Sequence, residues 1–151
     1  MADPTQNALI ARKLGETPIG LFATRGYFDR RGRITSMETL QNHDLIGLDR
    51  SDFLLRGFAA HGISLTREEF ALRTDDSMLT WNLLLAGAGI GIAQVILAKR
   101  HDHLEQVDAG IALGALPVWL VMSEEVRSSA RIRRVADFLS PALSEILAGR
   151  R

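Results

Sequence analysis

Cysteine is absent from the 151 residues, so disulfide bonds and thiolate metal sites are excluded. A net charge is also lacking, because 18 basic and 18 acidic residues cancel. Without a global field, the chain has no general attraction to nucleic acid or to an anionic membrane, although a local basic patch is still allowed. No apolar run approaches the roughly 20 residues of a membrane span, and the first residues lack the long apolar core of a signal peptide. We expect a cytoplasmic protein without a membrane partner.

Hydrophobic residues make up 46% of the chain, enough to bury a core in one domain or in two small lobes. The middle of the chain predicts a strand, a helix and a second strand: Phe70–Arg73, Met78–Leu85 and Ile90–Ala93. Thr74-Asp75-Asp76 predicts the helix start, because Asp side chains accept hydrogen bonds from first-turn amides. Ala86–Gly89 predicts its glycine-capped end. Together these elements predict a βαβ unit with parallel strands.

Other elements follow the same local rules. Ala8–Leu14 and Pro18–Ala23 predict two strands that form a hairpin around a tight turn at Gly15-Glu16. The remaining predictions, in chain order, are a basic loop or one helical turn at Arg25–Arg33, a helix from the capping box Thr35–Glu38 to Asn42, a strand in Asp44–Asp49, a helix at Phe53–Ala60, a short helix at Val95–Arg100, a turn at His101–Glu105, a strand at Leu116–Met122 and a helix at Val126–Leu147.

The last strand and helix carry the strongest apolar patterns. Leu116–Met122 is nearly all apolar, which predicts a central buried strand with Trp119 in the core. Pro141 predicts a kink or a restart of the final helix, with Ser140 as the new N-cap. The predicted apolar stripe of that helix comprises Ile132, Val135, Leu139, Leu143 and Ile146.

Few residues form a pattern typical of catalysis or metal binding. Gly87–Gly91 is similar to a dinucleotide-binding fingerprint, but the sixth position of that fingerprint is Ile92 instead of glycine. The run also closes a helix instead of opening one, so a nucleotide site is rejected. His101–Glu105 has two histidines and two carboxylates, but the spacing is not that of a hydrolytic zinc site, and a surface loop is favoured. Solvated surfaces are likewise favoured over anion sites for the arginines of Arg25–Arg33 and of the final helix.

The start of the central helix leaves alternatives open. Asp75 and Asp76 are candidates for an acid/base pair, yet helix capping accounts for at least one of them. The first-turn amides after Thr74 can bind a carboxylate. Two aspartates at the same place would oppose an anion unless they point elsewhere, and the sequence does not decide between these interpretations.

Four runs, taken in order, resemble the C-terminal effector-binding domain of LysR-type transcriptional regulators. They read LIGLD from Leu45, FALRTDD from Phe70, LLLAGAGIGIAQ from Leu83 and LPVWLVM from Leu116, the last followed by RIRRVADFL. The start, ALIARKLGETPIGLFATRGYF, is similar to the mid-section of that domain, where a hairpin leads to a hinge. The succession and spacing of these runs are more specific than any single one, and they cover nearly the whole chain.

The resemblance implies an α/β fold of the type 2 periplasmic-binding-protein kind, with two lobes around a small-molecule effector and with lobe I incomplete. The crossings between lobes are implied near Ala23–Arg25 and Gly114–Leu116. Residues 1–24 and 115–151 would then form the partial lobe I, and residues 25–114 lobe II. The implied effector-binding positions are Thr24, Arg25, Thr74, Asp75, Asp76 and Ser77. Arg25 stands where the family more often has a small residue or proline. No catalytic residue, metal or cofactor is implied.

The family begins with a winged helix-turn-helix DNA-binding domain and a linker helix, and neither is found in this sequence. We therefore expect an effector-sensing, dimerising part of a regulator, which forms a homodimer or a higher assembly and reaches DNA only through the missing N-terminal domain. The apolar faces of Leu116–Met122 and of the final helix are expected to lack partners. The alternatives are a fragment of a solute-binding protein of the same fold, or an enzyme on this fold that uses Asp75 or Asp76.

Overall fold

The computed structural model describes residues 9–34, 36–107, 110, 113–123 and 129–149. Within these ranges the chain is an α/β protein, as predicted. The strands are β1 (Leu9–Thr24), β2 (Leu45–Gly47), β3 (Phe70–Arg73), β4 (Gly91–Gln94), β5 (Leu104–Gln106) and β6 (Ala115–Ser123). The helices are α1 (Arg25–Arg31), α2 (Met37–Leu40), α3 (Phe53–Ala59), α4 (Ser77–Leu85), α5 (Val95–Ala98) and α6 (Ala130–Leu147), with a 3₁₀ turn at Arg67–Glu69.

The chain divides into two compact units. The middle unit is Pro18–Gly114, and the end unit comprises the residues before Pro18 and from Ala115 onward. The first boundary between these two units lies between Thr17 and Pro18. The reason is that residues 19–24 of β1 pair with strands of the middle unit. The assignment of the two units to lobes I and II of the family fold stays a prediction.

In the middle unit, the second half of β1 lies between two antiparallel partners. Ile19–Phe22 pair with β4, and Phe22–Thr24 pair with β5. Side chains alternate across a strand, so Leu21 and Ala23 pack in one apolar cluster and Phe22 packs in another. The larger cluster also contains Tyr27, Phe28, Leu40, Leu45, Leu54, Phe58, Phe70 and Ile90, and the smaller one Ile46, Leu84, Ala93 and Ala98.

The predicted βαβ unit is present with one more strand inside it. β3 pairs in parallel with β2 and not directly with the chain that follows α4. Leu45 of β2 also forms a parallel bridge with Ile90, so β2 separates the two strands that α4 connects. Gly89 packs against the chain just before β2, since a Cβ on Gly89 would be 2.3 Å from the carbonyl oxygen of Asp44.

The glycine run ends α4 in the predicted way. Gly87 has φ +70°, in the left-handed region that glycine tolerates. Its N–H donates to the carbonyl of Leu84, and the N–H of Ala88 donates to that of Leu83, both at 3.0 Å. This pair of bonds is a Schellman motif, which satisfies carbonyls that the helix itself leaves free.

The predicted hairpin at the start of the chain is wrong. β1 runs without interruption for 16 residues, through Gly15 and Glu16. Gly15 does not have a positive φ; a Cβ on it would be 3.2 Å from the Cβ of Leu147 in α6. The glycine therefore allows close packing of a helix on the strand and does not form a turn. The Ser144 hydroxyl, which donates to the carbonyl of Leu14 at 2.9 Å, fixes the same contact.

Strand β6 of the end unit pairs with β1, and its side chains alternate between half-buried and exposed. Trp119 is 51% exposed and Val121 is also exposed, so the expected central buried strand and the core position of Trp119 are wrong. One face of the strand has no cover among the described residues, in agreement with the expectation of an unpartnered apolar face.

The final helix is continuous from Ala130 to Leu147 and does not restart at Pro141. Ile132, Leu139, Leu143 and Ile146 are half-buried as predicted, but Val135 is exposed. The most deeply covered positions are the small residues Ala136 and Ser140. Small side chains let the helix approach the strands closely, and Phe138 is left 73% exposed.

Three smaller predictions need adjustment. The basic segment forms the helix α1, with Thr24 as N-cap. The capping box of α2 is formed by Ser36 and Thr39; Thr35 and the side chain of Glu38 lie outside the described residues, as does the Val126 start predicted for the last helix. The His101–Glu105 turn ends in a strand, β5, which the sequence reading missed because three residues are too few to show alternation.

Candidate functional site

Thr24 joins β1 to α1 and is 7% exposed. Its hydroxyl oxygen accepts a hydrogen bond from the N–H of Tyr27 at 3.1 Å, which caps the helix. Thr24 also lies against Gly87, where an added Cβ would be 2.7 Å from the same oxygen. This side chain therefore fixes a junction in the interior of the middle unit.

Arg25 is exposed but already bound. Its Nε donates to the Glu105 carboxylate at 3.0 Å, and its guanidinium also donates to the carbonyl of Asp102 at 3.3 Å. Arg33 contacts the other Glu105 oxygen at 2.5 Å. The hydrogen bonds from Arg33 and then Arg25 lower the pKa of Glu105 below its ordinary value. An anionic ligand at Arg25 would have to compete with this carboxylate.

The segment Thr74–Ser77 leads from β3 into α4. Thr74 continues the strand, because its N–H donates to the carbonyl of Gly47 at 3.1 Å. Its hydroxyl accepts a hydrogen bond from the N–H of Asp76 at 3.1 Å. Ser77 is the first helical residue and is exposed. The side chains of this segment thus shape a tight and ordered helix entry.

The two aspartates of this segment have separate backbone partners. Asp76 is the N-cap of α4 and accepts hydrogen bonds from the N–H groups of Met78 and Leu79, at 2.8 and 3.1 Å. Asp75 points to the loop after β2, where it accepts from the N–H groups of Asp49 and Arg50, each at 3.1 Å. This bears on the conflict left open by the sequence: the N–H groups of Met78 and Leu79, which could attract an anion, are occupied by the Asp76 carboxylate.

The same helix start has an apolar side. Met78 is 65% exposed, and Leu79 is exposed beside it. The Asp76 carboxylate, which is bound to the N–H groups of these two residues, therefore lies at the same helix start as exposed apolar side chains. Such a surface favours a ligand that presents hydrogen-bond donors and an apolar part, since acceptors repel acceptors.

The six expected effector positions do not form one cluster within the middle unit. Thr24 contacts Gly87, just beyond the C-terminal end of α4, whereas Thr74–Ser77 lie at its N-terminal end. The helical rise from Ser77 to Leu85, the two ends of α4, is about 12 Å. Two separate places in this unit thus carry the expected residues.

Arg67 supports the helix start and was not anticipated. Its guanidinium donates to the carbonyls of Asp49 and Arg50 at 2.8 and 2.7 Å and pairs with Asp52. These contacts hold the loop whose amides bind Asp75. A signal was present in the sequence, because Thr66 and Glu69 match a capping box around the Arg67 turn.

A buried tyrosine ties α1 to β2. The hydroxyl oxygen of Tyr27 accepts a hydrogen bond from the N–H of Asp44 at 2.9 Å and lies 3.3 Å from Nδ1 of His43. Burial raises the pKa of Tyr27 and lowers that of His43. Within the described part of the chain, no three His, Asp or Glu side chains are arranged to hold a metal ion, and no helix is long and apolar enough to cross a membrane.

The family model described as the LysR substrate binding domain matches residues 1–144. The chain belongs to this family. A search of curated proteins gave no match. The family match favours a LysR effector-binding domain over a solute-binding protein of similar fold.

Solved structures of LysR-type regulators share the fold. The regulatory domain of CrgA from Neisseria meningitidis has a TM-score of 0.75 and 21% identity, over 94% of this chain and 72% of that one. The effector domain of AmpR from Pseudomonas aeruginosa has a TM-score of 0.73 and 17% identity, over 97% and 70%. Full-length AphB from Vibrio cholerae has a TM-score of 0.62 and 18% identity, over 90% and 48%. The LysR domain here thus spans about half of a full-length regulator.

Proposed function

We propose that this LysR domain senses a small-molecule effector and that the start of α4 contacts it. The match of the family model to residues 1–144 carries the proposal. Of the six expected positions, we favour as effector contacts those in the segment Thr74–Ser77, because Thr24 is buried and Arg25 is bound to Glu105. Thr24 and Arg25 remain proposed contacts of secondary weight.

The effector class follows from the charges at the helix start. Asp75 and Asp76 are acceptors, and two first-turn amides that would attract an anion, those of Met78 and Leu79, are occupied. We expect an effector with an amine, amide or hydroxyl donor, and with an apolar part that packs on Met78 and Leu79. A carboxylate at the same place would meet two negative charges.

Thermal-shift and calorimetric titrations with matched pairs of small amines and carboxylates test this class. Amines are expected to stabilise the protein more than carboxylates of the same shape. Asp76→Asn keeps a capping oxygen but removes the charge, so amine affinity should fall about tenfold, or roughly 1.4 kcal/mol. Asp102→Asn, in the turn before β5, is the matched control. Tighter binding of carboxylates, further strengthened by Asp76→Asn, would contradict the proposed class.

We further propose that the chain self-associates as a homodimer or larger assembly. Exposed apolar side chains of the end unit support this: Trp119 and Val121 on β6, and Val135 and Phe138 on α6. Analytical ultracentrifugation should show association that Phe138→Glu weakens and Leu97→Glu, an exposed site in the middle unit, does not. A chain that stays monomeric at all concentrations argues against it.

The remaining part of the proposal concerns DNA, catalysis and location. We propose that the domain is cytoplasmic, is not an enzyme and does not bind DNA alone. Both carboxylates that could serve as an acid/base pair, Asp75 and Asp76, are engaged with backbone amides. DNA-binding titrations at several salt concentrations test the second point, and tight, salt-sensitive operator binding by this chain would overturn it.

A further inference from the structure

A groove of about 210 Å³ lies in the end unit, apart from the proposed effector contacts. Three elements line it with residues at regular spacings. Ile10 and Arg12 are two apart on β1, and Leu120 and Met122 are two apart on β6, so each pair shares one face of its strand. Arg133, Ala136, Asp137 and Ser140 follow one side of α6. The groove therefore runs between the paired strands and the helix.

The floor of the groove is apolar, while its charged side chains have no ion-pair partner among the described residues. Ala136 is buried, and Ile10, Leu120 and Met122 are half-buried. Neither Arg12 nor Arg133 forms an ion pair or a side-chain hydrogen bond with any part of the chain that the structure describes. Arg133 and Asp137 are four residues apart on the helix, a spacing that permits pairing, yet they are not paired.

We propose that this groove is a second ligand site, for a small monocarboxylate with an apolar body. Two guanidinium groups and one carboxylate give the lining a net charge of +1, which one carboxylate neutralises. A guanidinium is suited to a carboxylate because its donors can make two parallel hydrogen bonds. The apolar floor takes the remainder of the ligand. The volume is below the roughly 300–1,000 Å³ of drug-sized sites, which limits the ligand to a single ring or a short chain.

This site recognises chemistry opposite to that proposed for the start of α4, and it does not depend on that proposal. At α4 the exposed groups are carboxylates, whereas in the groove the unpaired groups are mainly cations. The methionines report on the two places separately. Met122 lines the groove, and Met78 lies at the helix start.

The test is a titration of the full chain, labelled with ¹³C at the methionine methyl groups, followed by NMR. Phenylacetate is the probe, and 2-phenylethanol is its uncharged counterpart. Phenylacetate should shift the Met122 methyl signal saturably and leave Met78 unchanged, and the alcohol should bind at least about tenfold more weakly. Saturable binding without a shift at Met122 would overturn the groove site alone, whereas a shift at Met78 alone would also contradict the proposed effector class, because it would place a carboxylate at α4.

Variants of α6 identify the cation that binds the carboxylate. Arg133→Gln should weaken phenylacetate binding about tenfold. Arg134→Gln, one residue further along and outside the lining, should leave it unchanged. Ala136→Leu fills the floor and should abolish the Met122 shift while Met78 keeps its native signal. Equal binding of the alcohol, equal losses in the two arginine variants, or a Met122 shift caused only by protein concentration would overturn the proposal, the last by showing that a second copy fills the groove.

Discussion

Thr24 and Gly87 are in contact: a Cβ atom added to Gly87 would lie 2.7 Å from the hydroxyl oxygen of Thr24. The same glycine has φ +70° at the end of α4. Its carbonyl oxygen accepts a hydrogen bond from Arg30 at 3.0 Å. The end of α4 and the position of Thr24 at the end of β1 thus both depend on the absence of a side chain at Gly87.

Gly87→Ala is expected to destabilise the protein through two effects. The left-handed backbone conformation alone costs about 1–2 kcal/mol for a residue with a Cβ, and displacement of Thr24 adds to it. Gly62→Ala is the matched control, because Gly62 has φ +80° but nothing within 4 Å of an added Cβ. Urea denaturation should show a larger loss at Gly87; equal losses would mean that Thr24 moves aside freely.

Asp76→Ala should lower the free energy of unfolding by about 1 kcal/mol, the usual effect of losing an N-cap side chain. Asp76→Ser keeps a capping oxygen and should retain most of the stability. Asp102→Ala serves as control, since the Asp102 side chain makes no hydrogen bond to a described residue. If Ser and Ala at position 76 behave alike, the hydrogen bonds from Met78 and Leu79 do not stabilise α4.

Tyr27 is the only tyrosine of the chain, so phenolate absorbance reports on it alone. Burial raises its pKa, and the folded protein should therefore ionise above the ordinary value of 10.0, whereas the urea-unfolded chain should ionise near it. Because the folded pKa is the higher one, this stabilisation is complete below pH 10 and is lost as the pH rises through the folded pKa. Identical titration curves for folded and unfolded protein would contradict the burial of the hydroxyl.

Glu105 should make the free energy of unfolding depend on pH in the acid range. Hydrogen bonds from Arg33 and Arg25 lower its pKa, so the stabilisation is present above the ordinary value of 4.5 and is lost as the pH falls through the folded value. As the pH is lowered from 5, the free energy of unfolding measured by denaturation should therefore fall less steeply for Glu105→Gln than for the native protein. The same pH dependence in Glu105→Gln and in the native protein would contradict this prediction.

Local signals in the sequence predicted most elements well, and the errors occur where distant contacts decide. Capping by at least one of Asp75 and Asp76, and the end of α4 in Ala86–Gly89, depend on neighbouring residues, and both were predicted. Gly15 was misread because its role depends on Leu147, 132 residues later, and a glycine for close packing has the same local signature as a glycine in a turn. Trp119 was misplaced for a related reason: its apolar strand pairs with β1, but one face has no cover among the described residues.

The sequence predicted which residues form the candidate site better than it predicted their contacts. The sequence singled out Thr74–Ser77 and raised the conflict between two aspartates and an anion. It could not show that Asp75 turns to the amides of Asp49 and Arg50, because that loop lies 25 residues earlier in the chain. The role of Arg67 in holding the loop was missed for the same reason.

The half-exposed Trp119 has a practical consequence, because the chain has one other tryptophan, Trp81 in α4. Each unit therefore contains one tryptophan. Trp81 lies with its ring centroid 5.3 Å from that of His101, and a protonated imidazole at that distance should quench it. Emission from Trp119→Phe thus follows the middle unit and its histidine, while emission from Trp81→Phe follows the end unit. Comparing the two melting curves would show whether the halves of this domain lose their structure in one step or in sequence.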